Sequence, residues 1–174
     1  MQKIIINALL FQIQWFICVQ GNNALAAASF ACLLFVHNKI IKPHNYEWYL
    51  IITFSVVGFI IESIVGSFGF INYQGHYVLG DSNIIMAPLW LCIMWAAFAS
   101  TFCHSLKWLQ GKIAICALLA FLVVPVNYYL GVKISSSEFP KLMISGLLVQ
   151  AVIWSILLPI ALYFASQISK KIDA

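Results

Sequence analysis

The sequence contains no arginine and very little charge of either sign. Of its 174 residues, 8% are charged and 63% are hydrophobic, whereas soluble domains carry about 25% charged and about 45–50% apolar residues. The nine basic residues are all lysines, scattered along the chain, which argues against nucleic-acid binding. The absence of arginine also argues against a site that clamps phosphate in bidentate fashion. This composition predicts a membrane protein.

Recognisable catalytic and cofactor signatures are also lacking. The sequence has no H-E-x-x-H, G-x-S-x-G, P-loop or dinucleotide-binding motif, so nothing indicates zinc, nucleotide or flavin chemistry. The cysteines lie inside apolar segments without C-x-x-C spacing, which favours small buried side chains over a disulfide framework or a zinc site. The sequence therefore predicts no cofactor and no metal site. The five cysteines are Cys18, Cys32, Cys92, Cys103 and Cys116.

Six apolar segments account for most of the chain. A membrane-spanning helix takes about 20 residues, so six such helices leave only short connections and no room for a separate soluble domain. We predict an all-α, polytopic bundle of six transmembrane helices that forms a single integral membrane domain over residues 1–174. The predicted helices span approximately residues 4–20, 24–37, 47–71, 87–108, 113–131 and 139–168.

The lysines predict how this bundle is oriented, because cytoplasmic loops carry the excess of positive charge. With six helices, placing the amino terminus inside leaves only Lys133 and Lys141 on the outer side. We therefore predict a multi-pass membrane protein with both termini in the cytoplasm. The lysines then on the cytoplasmic side are Lys3, Lys39, Lys42, Lys107, Lys112, Lys170 and Lys171.

Glu62 lies well inside the third apolar segment, where a central ionisable group costs roughly 2.5–3.5 kcal/mol on insertion scales. Gly58, Glu62 and Gly66 recur every four residues, so they form a small and polar stripe that should face other helices. Two interpretations stay open. The carboxyl either serves a function or forms a protonated hydrogen bond between helices.

The predicted topology places further polar groups at the same membrane depth as Glu62. Gln20, Asn127 and Gln150 share this layer, with Trp90 close by, which predicts a polar pocket inside the membrane. Asn127 follows Pro125 by two residues, at a point where proline has interrupted the helical hydrogen bonds. The alternative is that these amides only join neighbouring helices.

His104 and Ser105 lie near the other end of the predicted fourth helix. Together with Thr101 and Trp108 they recur at three- and four-residue steps, so they share one helix face. His104 could act as a general base or a proton relay with Ser105, or it could donate to a backbone carbonyl and lock the helix. The predicted distance from Glu62, about half a membrane thickness, argues against a catalytic pair.

Four stretches of the sequence form a recognisable pattern: Asn7–Phe11 with Trp15-Phe16, Glu62-Ser63 with Gly66 and Gly69, Pro88–Leu91 with Trp95–Ala99, and His104–Leu109. They resemble a bacterial inner-membrane family catalogued as domain of unknown function 2878. This resemblance implies a compact multi-helix protein of a bacterial inner (plasma) membrane and points to Glu62, Ser63, Trp90, His104 and Ser105, but it implies no activity. The family pattern has an aspartate where this chain has Glu62.

The leading hypothesis is that the protein binds or transports a small hydrophobic or amphipathic molecule in a pocket formed by Glu62, Ser63, Trp90, Asn127 and Gln150. An alternative is an integral membrane enzyme that modifies lipid, with Glu62 or His104 as acid or base. A third is a non-catalytic accessory subunit that holds a partner membrane protein or a second copy through the small-residue stripe. The expected partners are membrane lipid and a hydrophobic ligand, and not nucleic acid.

Overall fold

The computed structural model describes residues 1–82 and 84–173, which form a helical bundle with one small β-hairpin. The predicted all-α membrane bundle of six helices is thereby confirmed. Its helices are α1 (Gln2–Val19), α2 (Asn23–Val36), α3 (Asn45–Ser67), α4 (Leu89–Ala99), α5 (Ile113–Ile134) and α6 (Met143–Asp173). A π-helical turn (His37–Ile41) extends α2, a 3-10 turn (Lys107–Leu109) follows α4, and β1 (Tyr77–Val78) pairs antiparallel with β2 (Ile85–Met86).

Five of the helices are long and apolar enough to cross a membrane: α1, α2 with its π-helical turn, α3, α5 and α6. Their outer faces are apolar. On α3, Ile52, Val56, Ile60 and Ile64 are each more than half exposed, one helical turn apart. Such a row would be unfavourable in water and is suited to contact with lipid acyl chains.

The fourth helix is shorter than predicted. α4 has 11 residues, about 17 Å at roughly 1.5 Å per residue, so the expected helix over 87–108 is wrong in extent. Beyond Ala99 the backbone tightens into i→i−3 bonds, and the hydroxyls of Ser100 and Thr101 bond to carbonyls three residues back, at 2.7 and 2.5 Å. Hydroxyls that compete for backbone carbonyls disfavour a continuing helix.

The chain can leave helical geometry here because protein surrounds it. Ser100, Thr101 and Phe102 are buried, and irregular backbone at membrane depth is tolerated only where protein or a cavity covers it. α4 is itself the central helix, packed against α1, α2 and α3. Asn7 of α1 closes the turn: its Nδ2 donates to the Ser100 carbonyl at 3.1 Å, and its Oδ1 accepts from Oγ of Ser105 at 2.7 Å.

The predicted ends of the third and sixth helices are also displaced. α3 ends at Ser67 and not at residue 71, because Gly69 adopts a positive φ of 69° and the amides of Gly69 and Phe70 bond back to Gly66 and Val65. This is a Schellman motif, which terminates helices. α6 begins at Met143 and not at 139, because Glu138 forms a two-hydrogen-bond β-bridge with Asn72.

The path of the chain gives the bundle two distinct ends. The terminal end carries both termini, the π-helical turn and the α4–α5 connection, and Gln110 donates to Ser169 of α6 there at 3.2 Å. The loop end carries the α1–α2 turn, the hairpin and the α5–α6 connection. Of the lysines, only Lys133 and Lys141 belong to the loop end.

Aromatic side chains from three helices form the centre of the bundle. The Trp95 ring of α4 lies 4.5 Å from Trp154 of α6 and 4.9 Å from Phe54 of α3, measured between centroids. Gly58 of α3 makes room for this cluster, because a Cβ at that position would lie 2.1 Å from Cδ2 of Trp95. The predicted inward stripe is confirmed, since Gly58, Glu62 and Gly66 are all buried.

We expect Gly58→Ala to lower the free energy of unfolding by about 1–3 kcal/mol, because the added methyl overpacks the contact with Trp95. Gly131→Ala is the matched control: it also lies inside a helix, but its Cβ would lie 3.6 Å from Val19, an ordinary contact. That variant should be neutral, or more stable by up to about 1 kcal/mol through helix propensity. Thermal unfolding in mild detergent measures both, and equal effects would contradict the packing described.

Candidate functional site

Glu62 lies at the centre of a buried hydrogen-bond network, which we call the Glu62 cluster: Glu62, Tyr73, Tyr128, Gln150 and Trp154. The carboxyl has no exposed surface. Its Oε2 accepts from the Tyr73 hydroxyl and, at 2.9 Å, from Nε2 of Gln150, while its Oε1 accepts from the Tyr128 hydroxyl. Nε1 of Trp154 in turn donates to the Tyr128 hydroxyl at 3.2 Å.

The members of the Glu62 cluster come from α3, α5, α6 and the connection after α3, and local structure positions each of them. Glu62 lies on the inward stripe of α3, and Tyr128 faces it from α5. Gln150 and Trp154 lie four residues apart on one face of α6, as helix geometry requires. Tyr73 belongs to the connection after α3. Burial raises the pKa of Tyr73 well above its usual value, so its hydroxyl keeps its proton and serves as a donor.

Three of the predicted pocket residues have roles that differ from one another. Gln150 donates from Nε2 to the Glu62 carboxyl at 2.9 Å. Ser63, although next to Glu62, faces the hairpin: its hydroxyl donates to the Phe59 carbonyl at 2.6 Å and accepts from the Ala87 amide at 2.9 Å. Trp90 donates from Nε1 to the Gln74 carbonyl at 2.9 Å and lies edge-on to Tyr73.

The other two predicted amides are outside the cluster. Asn127 is exposed on α5, one residue before Tyr128, and borders two cavities. Gln20 is exposed and donates to the Phe16 carbonyl of its own helix at 3.3 Å. A shared predicted depth in the membrane does not identify which amides contact Glu62, because Asn127 and Gln20 point in other directions.

An aromatic-lined opening between α1 and α5, which we call the aromatic crevice, lies beside the Glu62 cluster. It has a volume of about 140 Å³. A smaller cavity of about 50 Å³ shares four of its lining residues and continues to Tyr73 and Trp90. The residues that both cavities share are Trp15, Met94, Asn127 and Tyr128; the crevice is also lined by Phe11, Gln12, Trp95, Phe98, Val124 and Trp154.

Tyr128 connects the aromatic crevice to Glu62, since it lines the crevice and its hydroxyl binds the carboxyl. Glu62 itself does not line either cavity. Nε1 of the Trp95 indole is buried and has no hydrogen-bond partner among the described residues. The arrangement therefore presents polar atoms at the inner wall of a mostly apolar opening.

The loop end is fixed over this region by hydrogen bonds between connections. The side-chain Oε1 of Gln74 accepts a hydrogen bond from the Ser136 backbone N–H at 3.0 Å. The backbone N–H of Gln74 donates to the Ser137 hydroxyl, also at 3.0 Å. Asn23, at the start of α2, accepts from the Trp90 amide at 2.9 Å. These bonds hold Tyr73 in place above Glu62.

His104 meets a different set of residues at the terminal end, which we call the His–Glu cluster: His37, Glu47 and His104. Nε2 of His104 lies 2.7 Å from Oε2 of Glu47, and the rings of His37 and His104 are 5.3 Å apart. The predicted partner Ser105 faces away, toward Asn7. The pairing of His104 with Ser105 in a relay is thus not what this geometry favours.

The comparisons with known proteins identify the family. The model of the family described as "Protein of unknown function (DUF2878)" matches residues 4–160. The chain belongs to the DUF2878 family. No curated protein and no solved structure gives a match.

The region matched to DUF2878 contains both clusters and the aromatic crevice. It runs from the first turn of α1 into α6, six residues beyond Trp154. Membership in DUF2878 carries no activity to this chain.

Proposed function

We propose that the protein binds a small amphipathic molecule in the aromatic crevice, with the apolar part of the ligand against the rings and its polar part at Asn127 and Tyr128. The observation that carries this proposal is the link from the crevice to the buried carboxyl through Tyr128. Largely apolar concave sites with a few convergent polar groups are typical of small-molecule binding.

The size and position of the crevice restrict the ligand. At about 140 Å³, it is smaller than the roughly 300–1,000 Å³ of drug-sized sites, so it suits one acyl chain segment or a molecule of similar width. It lies between two helices whose outer faces are apolar, α1 and α5. A ligand dissolved in the bilayer would therefore enter sideways from lipid.

In this proposal Glu62 positions the site and does not touch the ligand. Glu62 has no exposed surface and is not among the residues lining the crevice. Its hydrogen bond orients the Tyr128 hydroxyl, which Trp154 also contacts from the crevice wall. Because the Tyr128 oxygen is already engaged on two sides, a ligand that bonds there would compete with Glu62 or Trp154, which couples binding to the Glu62 cluster.

Photo-crosslinking with a diazirine-bearing palmitate tests the proposal. We expect the probe to label peptides of α4 and α5 around Met94 and Asn127 in the purified protein. Val124→Trp should reduce this labelling several-fold, because Val124 lines the crevice and the indole would fill it. Val123→Trp is the matched control, since the neighbouring side chain is 49% exposed on the outer face and should leave labelling unchanged.

Labelling spread evenly over the outer faces of α1, α3 and α5, with no difference between the two tryptophan variants, would mean that the probe reports bulk lipid contact only. The crevice would then have no binding role. Mass spectrometry of the labelled peptides distinguishes the two results.

We also propose that the protein resides in a bacterial inner membrane with both termini in the cytoplasm. Support comes from the lysines, of which seven belong to the terminal end and two to the loop end, the asymmetry that orients multi-pass proteins. Alkaline phosphatase is active only outside the cytoplasm. We expect its fusion after Gly80 to be active and its fusion to the carboxyl terminus to be inactive; the reverse pattern would contradict this orientation.

A further inference from the structure

The His–Glu cluster has an unexplained feature, a fully buried histidine with nothing to bond. His37 has no exposed surface, and neither of its ring nitrogens has a hydrogen-bond partner among the described residues. An unsatisfied buried polar atom is destabilising, and a bound water or ion is one of the explanations for such atoms in native proteins. His37 therefore needs a partner that protein atoms do not supply.

The side chains around His37 are those that bind transition metals. One ligand atom each from His37, Glu47 and His104 lies within 4.8 Å of the other two. Two imidazoles and one carboxylate form the ligand set of many catalytic zinc sites and of non-haem iron sites. From this geometry we propose that His37, Glu47 and His104 bind one divalent first-row transition-metal ion at the terminal end of the bundle.

The distances require only a small adjustment on binding. Zinc binds nitrogen and oxygen at about 2.0–2.2 Å, which places the ligand atoms of a tetrahedral site about 3.4 Å apart. The 2.7 Å contact between His104 and Glu47 is slightly shorter than this, and all three ligand atoms lie within 4.8 Å of one another. A metal ion would thus move the His104 and Glu47 atoms slightly apart and bring all three ligand atoms to about 3.4 Å from one another.

Local structure places each ligand independently of a metal. A π-helical turn begins at His37, and such turns are frequent at functional sites. Glu47 occupies the third position of α3, where Oε1 accepts from the His44 amide at 2.8 Å in a capping box. Its Oε2 is the oxygen directed at His104. His104 is positioned by the tight turns that follow α4.

The site also has access for an exchangeable ligand. Glu47 and His104 line a cleft of about 320 Å³, together with Cys103 and Ser169 and two lysines, Lys42 and Lys107. Three protein ligands leave a coordination position open, as in catalytic zinc sites. Water or an anion from the cleft would occupy it, and the lysines favour an anion.

Metal content of the purified full chain tests this proposal. The protein, stripped with a chelator and dialysed separately against Zn²⁺, Co²⁺ and Mn²⁺, should retain about one equivalent of at least one of them by elemental mass spectrometry, and that ion should raise its melting temperature. His37→Phe keeps an aromatic ring against Trp48 but removes both nitrogens. It should lose the bound ion while melting without metal at or above the wild-type temperature.

Glu47→Gln tests the proposal independently, in a variant that we expect to retain the fold. Glutamine also forms a capping box, so α3 should begin as before while the charged ligand is lost and the bound metal falls by more than about tenfold. The matched controls are His76→Phe and Glu138→Gln, a histidine and a glutamate at the loop end, which should retain the wild-type equivalent.

Two results would overturn the proposal. One is a wild-type protein that retains none of the three metals near one equivalent. The other is retention of wild-type metal content by both His37→Phe and Glu47→Gln, which would place any bound ion elsewhere in the chain.

Discussion

The buried carboxyl of Glu62 constrains how the rest of the bundle packs. An ionisable group with no exposed surface is costly unless hydrogen-bond donors surround it, and here the donors come from a connection, α5 and α6. α3, the loop end and the α5–α6 hairpin must therefore meet at one point. Apolar packing within lipid gives little preference for one arrangement over another, so this network supplies much of the specificity.

Two consequences of that convergence shape the possible chemistry. Fixing Tyr128 toward Glu62 leaves the aromatic crevice open between α1 and α5, with a polar atom at its inner wall. The rings of Trp95 and Trp154 fill the centre of the bundle, and α4 ends after 11 residues. The chain then continues in tight turns that Asn7 closes, and those turns bring His104 to Glu47 and His37. One fold thus carries the aromatic crevice and a separate polar cleft.

Much of the architecture was predictable from composition and hydropathy, because the length of each apolar segment is enough to identify a membrane-spanning helix. The inward stripe of α3 was predictable for the same reason, since a four-residue repeat is local to one helix. The extent of α4 was not, because its apolar sequence continues beyond Ala99 and the helix ends through hydroxyl–carbonyl bonds and a contact with Asn7. A hydropathy pattern does not record either.

The sites were harder to predict because their members are distant in sequence. Tyr73 and Tyr128 are 11 and 66 residues from Glu62, and nothing in a tyrosine's neighbours distinguishes a buried donor from an interfacial anchor. The available signal was the presence of tyrosines at the predicted membrane depth of Glu62. His37, Glu47 and His104 come from the π-helical turn, the start of α3 and the turns after α4, with no metal-binding spacing. Their proximity is a product of the fold.

A double-mutant cycle between Glu62 and Tyr128 tests the central claim most directly. The free energy of unfolding would be measured in mixed detergent micelles for Glu62→Gln, Tyr128→Phe and the double variant, beside a control cycle with Tyr129→Phe. We predict a coupling of about 1 kcal/mol or more for Tyr128 and less than about 0.5 kcal/mol for Tyr129. Equal couplings in the two cycles would contradict the account, because the carboxyl would then not depend on the tyrosine it contacts.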